Sequence, residues 1–425
     1  MKVLIVGGGG REHALAWKCA QSPRVDEVLV APGNAGTELE PGVRNVNIAA
    51  TDTERLVELA KREAVALTII GPEAPLVAGI TDAFQSRGLR CFGPSRLAAR
   101  LEGSKAFTKD FLQRHRIPTA GYRVFNRASY DAVWLRAQKT PIVIKASGLA
   151  SGKGVVIAQN LQEAESAVQE MFAGRFGEAG SEIVIEEFMQ GEEASFIVMA
   201  DGTQVLPLAT SQDHKRLLDH DEGPNTGGMG AYSPAPVITS AVHARVMREV
   251  IDPTIRGLRE DGSPFTGFLY AGLMVGDDGT VKVVEFNCRL GDPETQPILA
   301  RLRSDLTVLC DAAIDGNLAQ VEAEWDSRVA LGVVLAAAGY PEQVRSGDAV
   351  DGLEAAALLP GKVFHAGTRR AGAQCVTNGG RVLCAVGLGD RISDAQRDAY
   401  ALVSRIRYDG MSYRHDIGYR AIARE

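Results

Sequence analysis

Apolar and polar positions alternate with two different periods along this chain, and the switches between them divide it. Residues 2–6 are an unbroken apolar run after Lys2, followed at once by GGGG at 7–10. Ala14, Leu15, Trp17 and Cys19 then suit a helix beginning near Arg11. The same strand-then-helix rhythm continues. Strands are expected at 28–30, 66–70 and 90–92, and helices over 53–63 and 77–87. Repeated βαβ units imply a parallel sheet covered on both faces, with ligands at the carboxyl ends of its strands. The glycine-containing turns at 7–10, 71–73 and 93–95 should therefore lie along one edge.

From residue 102 the pattern changes. A helix is expected within 102–115, with Ser104 as its N-cap. Lys105 falls in its first turn, where the helix dipole disfavours a cation, so a paired or ligand-facing role is expected. IPTA at 117–120 reads as a linker. Residues 142–157 read strand, glycine-rich turn, strand, because β-branched residues flank Gly148, Gly152 and Gly154. A helix over 161–173 and strands over 183–188 and 192–199 follow. In a strand Glu186 and Glu187 point to opposite faces, so at most one aims its side chain at a ligand, while the other still offers its backbone. Residues 211–234 are polar and glycine-rich, and read as a long structured active-site loop without packed elements. A hairpin over 268–275 and 281–286 turns at GDDGT. Glu285 and Asn287 leave one face of its second strand, and Phe286 leaves the other for the core. Beyond 327, three short strands and an amphipathic helix over 393–407 form a small α+β unit. In that unit His365 and the Arg369–Arg370 pair read as solvated surface.

Composition narrows the function. The 425 residues exceed one ordinary core, so two to four domains are expected. A net charge of −7 gives no electrostatic footprint for nucleic acid. No apolar run reaches the roughly 18 residues of a membrane span, and the first run is too short for a signal peptide. The six cysteines form no C-x-x-C pair and read as reduced cytoplasmic thiols without a zinc site.

The candidate chemistry concerns phosphates. In 142–156 two lysines, Lys145 and Lys153, flank glycines whose backbone amides can approach an anion; the bland reading is a tight hairpin with solvent-facing lysines. It is not a P-loop, because Ser147 stands where the first glycine belongs and Gly154 follows Lys153. Strand, glycines and helix at 2–20 suit a phosphate or ribose-phosphate site, or serve only a turn. An NAD site is disfavoured: Glu12 occupies the third small position of the fingerprint, and strand 28–30 ends without an acid for a ribose hydroxyl. Glu285 and Asn287 supply two oxygens that suit Mg²⁺ with phosphates completing its shell.

Seven stretches carry a resemblance along the whole chain: GGREHA (9–14), APGNAGT (31–37), GPEAPLV (71–77), LEGSKAFTKDF (101–111), SQDHKR (211–216), GPNTGGMGAYSPAP (223–236) and EFNCRLGDPETQP (285–297). The chain resembles the glycinamide ribonucleotide synthetases, the phosphoribosylamine–glycine ligases of the ATP-grasp superfamily. The resemblance implies an α/β and α+β multidomain fold: a Rossmann-like substrate-binding domain over 1–103, an ATP-grasp region over 104–326 with a lid at about 121–192, and a small α+β domain over 327–425. It implies joining of glycine to 5-phosphoribosylamine through glycyl phosphate, with ATP hydrolysed to ADP and phosphate, in de novo purine synthesis. By the same resemblance Lys105, Lys145, Ser147, Gly148, Gly152, Lys153 and Gly154 contact ATP. Glu186, Glu187 and Phe188 border adenine, Glu193 holds the ribose, and Glu285 and Asn287 bind Mg²⁺ or Mn²⁺. Gly9, Gly10, Arg11, Glu12, Pro72 and Glu73 cradle the phosphoribosylamine. Asp213, Lys215, Arg289, Asp292 and Pro293 hold substrates or the acyl phosphate, with Arg289, Lys153, Asp213, Lys215 and Asp292 as the catalytic set. Two departures concern loop detail: Gly8 replaces a frequent Asn, and Ser147 a frequent Asp. The expected partners are small molecules only, with neither nucleic acid nor membrane. The expected unit is a cytoplasmic monomer, with a dimer as the alternative. Competing readings are another ATP-grasp carboxylate–amine ligase and a nucleotide-binding regulator without turnover.

Overall fold

The computed structural model describes residues 1–150 and 154–425. Its first 100 residues form a parallel sheet of β1 (Lys2–Gly7), β2 (Glu27–Pro32), β3 (Val43–Asn45), β4 (Val65–Ile70) and β5 (Cys91–Phe92), in spatial order β3-β2-β1-β4-β5. Val3, Leu4, Ile5 and Val6 of β1 are wholly buried, as a central parallel strand covered on both faces requires. The carboxyl ends meet as expected: the Gly33 amide donates to the Gly7 carbonyl at 3.1 Å and the Gly71 amide to Val6 at 3.0 Å. The Gly93–Pro94 turn leaves the same edge, because β5 runs parallel to β4 and ends at Phe92, and it packs under Gly267. The expected single helix over 77–87 is two short ones, Glu73–Ala78 and Ile80–Gln85. Gly79 between them has φ +94°, a left-handed conformation that glycine adopts without strain.

Two antiparallel sheets follow and face each other. The lid sheet contains β6 (Tyr122–Asn126), β7 (Ile142–Ala146), β8 (Val155–Ala158) and β9 (Glu182–Glu187), in order β6-β9-β7-β8. The Leu161–Phe172 helix packs on one face of it, placing Ala164, Val168 and Met171 against Ile144, Ile183 and Ile185. The next strands are β10 (Glu192–Asp201), β11 (Val205–Pro207), β12 (Gln212–Asp213), β13 (Arg216–Leu218), β14 (Glu222–Asn225), β15 (Gly230–Ser233), β16 (Thr266–Val275) and β17 (Val281–Asn287). Of these, β11-β10-β16-β17 form the base sheet. The tetrapeptide 117–120 is no free linker, because the Val283 amide of β17 donates to the Pro118 carbonyl at 2.8 Å and Thr119 Oγ1 to the Val283 carbonyl at 2.7 Å.

The carboxyl-terminal part adds β18 (Val329–Ala336), β19 (Lys362–His365), β20 (Thr368–Ala371), β21 (Gln374–Thr377) and β22 (Arg381–Gly389), with the Ile392–Val403 helix across its sheet. That sheet runs β12-β15-β18-β22-β19, so it draws two strands from 211–234. The polar stretch expected to lack packed elements is therefore four short strands, two in this sheet and two in the β13–β14 hairpin. Its apolar positions are few because the cross-chain ladder and ion pairs hold it: Arg414, wholly buried, pairs with Asp221 and Asp416 at 2.8 Å. His365, expected on the surface, is buried at the junction with the first sheet, while Arg369 and Arg370 are exposed as expected. The His365 amide donates to His13 Nδ1 at 2.7 Å.

Candidate active site

Between the lid and base sheets lies a cleft of about 460 Å³. Period-two alternation on β17 delivers Glu285 and Asn287 to its floor and sends Phe286 into the core at 2% exposure. That burial is worth about 2–3 kcal/mol and fixes the register. Lys145 reaches in from β7, and Asp213 and Lys215 from the 211–216 segment. Lys105 enters from the Lys105–Arg114 helix, whose N-cap Ser104 Oγ accepts the Phe107 amide at 3.2 Å. Lys105 Nζ donates to the Gly148 carbonyl at 3.2 Å, which gives that first-turn cation the partner expected of it.

One end of the cleft is apolar, walled by Val143, Val155, Ile157, Leu112, Met274 and Phe188. Glu186 and Glu187 separate there as strand geometry demands. Glu186 is buried against Lys109 (2.9 Å) and Lys145 (3.0 Å), and Glu187 is exposed, bonded to the Gly121 amide at 3.0 Å. At the other end Arg289 Nη2 donates to Glu102 Oε1 at 2.8 Å and to Asn287 Oδ1 at 3.1 Å, and its Nε lies 3.5 Å from Glu73. Burial pushes the Glu102 carboxyl up, against the pull of Arg289. Arg11 donates to Glu12 Oε1 at 2.6 Å and to the Leu290 carbonyl at 3.2 Å.

Asp213, half-buried, has its carboxyl pushed up by burial; Lys215 opposes this, and Glu294, Glu193 and Glu285 reinforce it. Lys215, paired with Glu193, is held charged. Among the described lining residues nine are Asp or Glu (73, 102, 186, 187, 193, 213, 285, 292, 294) against seven Lys or Arg (11, 105, 109, 145, 215, 289, 381). A polyphosphate alone is poorly matched to such a surface; one accompanied by a divalent cation is well matched.

The structure thus brings Lys105, Lys145, Gly154, Glu186, Glu187, Phe188, Glu193, Asp213, Lys215, Glu285, Asn287, Arg289, Asp292, Arg11, Pro72 and Glu73 to one cleft. It leaves Gly9, Gly10, Glu12, Ser147, Gly148 and Pro293 outside the lining. Glu12 Oε2 takes the Gly9 amide at 2.5 Å, which closes the first turn of the Gly10–Ala20 helix. The Ser147 hydroxyl donates to Glu182 Oε2 and accepts the Ala106 amide, both at 3.1 Å. Gly152 and Lys153 lie outside the described residues. Lys109, Glu102, Tyr270, Glu294 and Arg381, none of them expected from the sequence, also line the cleft. Lys109 carried a signal, because it stands one helical turn after Lys105; Arg381, on β22, carried none.

An antiparallel lid sheet over an antiparallel base, closing on lysines and a two-oxygen strand end, defines the protein as an ATP-grasp enzyme, a class that uses ATP and small-molecule substrates. Family models for phosphoribosylglycinamide synthetase match it in order: the N domain over residues 1–102, the ATP-grasp (A) domain over 103–295 and the C domain over 330–420. The chain belongs to the phosphoribosylglycinamide synthetase family. The phosphoribosylamine–glycine ligase of Vibrio vulnificus strain YJ016 is 62% identical over 426 residues, which is 100% of this chain and 99% of its own length. That of Salmonella typhimurium strain LT2 is 60% identical over 427 residues and covers both chains fully. The crystal structure of the Thermotoga maritima ligase superposes with a TM-score of 0.81 at 33% identity, covering 98% of this chain and 100% of that one. The biotin carboxylase of Campylobacter jejuni shares the fold alone, at 12% identity and a TM-score of 0.70 over 97% of this chain and 92% of that one.

Proposed function

We propose that this protein joins glycine to 5-phosphoribosylamine, giving glycinamide ribonucleotide, ADP and phosphate in purine biosynthesis. The observation that carries this reading is 62% identity to a phosphoribosylamine–glycine ligase over 100% of the chain. In the first step a glycine carboxylate oxygen attacks the γ-phosphorus of ATP, and the bond to the β–γ bridging oxygen breaks. In the second, the ribosylamine nitrogen attacks the carbonyl carbon of glycyl phosphate; the carbon–oxygen bond to phosphate breaks and the nitrogen loses a proton. Such chemistry asks the protein for positioning and charge neutralisation rather than a covalent residue.

Position in the cleft supports these roles for the described residues, and family membership supports that of Lys153. Lys105, Lys145 and Lys153 neutralise the triphosphate, and Glu186, Glu187 and Phe188 border adenine at the apolar end. Glu193 takes the ribose after giving up Lys215. Arg289, Asp213, Lys215 and Asp292 hold the glycyl and ribosylamine groups, and Arg11, Pro72 and Glu73 face the phosphoribosyl end. Glu285 and Asn287 present hard oxygen donors in an acid-rich cleft, which fits Mg²⁺ or Mn²⁺; when bound, that ion neutralises charge developing on the phosphate oxygens. The acyl phosphate is labile to water, so the lid sheet excludes water during turnover. No helix of the described residues is long and apolar enough to cross a membrane, and the six cysteines are free and buried; both fit a cytoplasmic site.

Phosphate release from ATP, with glycine and freshly prepared phosphoribosylamine supplied singly and together, tests the reading. Release should require both. Release with a different carboxylate or amine would retain the class and discard the substrates, and ATP binding without release under any combination would favour a regulator.

A further inference from the structure

Lys109 lies in the nucleotide cleft but is anchored on every side. Its ammonium sits 2.9 Å from Glu186 Oε2, donates to Thr119 Oγ1 at 2.7 Å, and lies 5.6 Å from the Tyr122 ring centroid. Thr119 is itself bonded to the base sheet through the Val283 carbonyl. Lys109 and Glu186 therefore join the Lys105–Arg114 helix, the lid sheet and the base sheet at one buried point, with side chains 3% and 2% exposed.

Lys145 shares the same carboxylate. Its Nζ donates to Glu186 Oε2 at 3.1 Å and to the Val284 carbonyl at 3.2 Å. One buried carboxylate thus faces two ammonium groups. A single buried pair neutralises the acid, and removing one partner of such a pair strands the other charge. With Lys109 in place, Lys145 can turn to a phosphate without leaving Glu186 uncompensated. Without Lys109, Lys145 is the sole counter-charge and is held at Glu186.

We infer that Lys109 is a positioning residue for ATP, the fixed counter-ion of Glu186 whose presence frees Lys145 to bind phosphate. The inference rests on the reading of Lys145 as a nucleotide contact.

Calorimetric binding of a non-hydrolysable ATP analogue with Mg²⁺ to the full chain tests it without turnover. Lys109→Met should weaken binding by about tenfold or more. The double variant Lys109→Met/Glu186→Gln should recover affinity to within about threefold of Glu186→Gln alone, since no stranded carboxylate then competes for Lys145. A merely structural loss at Lys109 would gain nothing from removing the Glu186 charge. Wild-type affinity in Lys109→Met overturns the inference. So does a double variant that binds more than about threefold more weakly than Glu186→Gln. If Lys109→Met does not fold, the charge-balanced double variant and Glu186→Gln still decide the matter. Lys145→Met is the control: lost affinity supports the scheme, whereas unchanged affinity removes Lys145 from the nucleotide site and the inference with it, leaving the phosphate-release experiment intact.

Discussion

Burial works against a charge on Glu285, yet Lys215, Lys145, Lys105 and Arg289 hold its carboxyl below the usual carboxylate range. An acid kept ionised by cations of one cleft is suited to a metal-bound polyphosphate. Glu285→Ala should therefore lower kcat by about 100-fold or more, as the loss of a preorganised electrostatic group does, with the thermal unfolding midpoint within a few degrees of wild type. Steady-state phosphate release and a thermal melt check both parts; near-wild-type turnover would remove Glu285 from the metal site. Lys153→Ala should show the same pattern. Single residues were legible where a strict period governed them. Alternation assigned Glu285, Phe286 and Asn287 to their faces, and separated Glu186 from Glu187. The partner of a buried charge was not legible, because nothing local in the sequence says that Lys109 meets Glu186 across 77 positions.

At the scale of elements, the β13–β14 hairpin and the turn before β15 show what holds a strand that has no apolar face. Arg414 fastens the hairpin from the far end of the chain, accepting no substitute from local pattern; its Nη1 donates to Asp221 at 2.8 Å and to the Arg216 carbonyl at 3.2 Å. The turn before β15 is fixed by close approach. Gly228 has φ +114°, and a Cβ there would lie 2.5 Å from Pro293 Cδ. Gly228→Ala should destabilise the protein by about 1–3 kcal/mol through backbone strain and overpacking, read as a lower urea midpoint. Because the displaced atom belongs to the turn carrying Asp292, kcat should fall as well, whereas affinity for the ATP analogue should stay within about twofold. Long periodic elements such as the Leu161–Phe172 helix were readable, since they bury their own stripe. Strands β12 and β15 were not, because their stability comes from a sheet completed more than 90 residues later, nor were β13 and β14, which pair with each other and are held by Arg414.

Over the whole molecule, the first domain and the carboxyl-terminal sheet close on one another through Phe364, packed against Trp17 and His13, and through polar groups around it. Asn34 Nδ2 donates to the Gly8 carbonyl at 3.0 Å and to the His365 carbonyl at 2.9 Å, which joins the glycine turn to the last domain. Beside it His13 Nε2 meets Glu40 Oε1 at 2.9 Å, and Lys362 pairs with the same oxygen. Burial works against the Glu40 charge, but hydrogen bonds with His13 and Lys362 overcome it and hold the carboxyl at about 2. A carboxyl depressed in the folded state stabilises the protein above its unfolded value near 4.5, and that contribution disappears as pH falls through about 2. Glu40→Gln should therefore be less stable than wild type at pH 6 to 7, by at most about 3 kcal/mol, and by less once solvent screening is counted. The gap should narrow as pH drops below about 4.5 and vanish near 2. Urea unfolding of the two proteins across pH 2 to 7 measures this directly, because the difference cancels the titration of all other carboxylates. A gap independent of pH would show that Glu40 acts through packing rather than charge. A gap that follows the predicted curve would make this pair an electrostatic clasp between the two ends of the chain, holding the Gly10–Ala20 helix, and with it Arg11, against the phosphoribosyl end of the cleft.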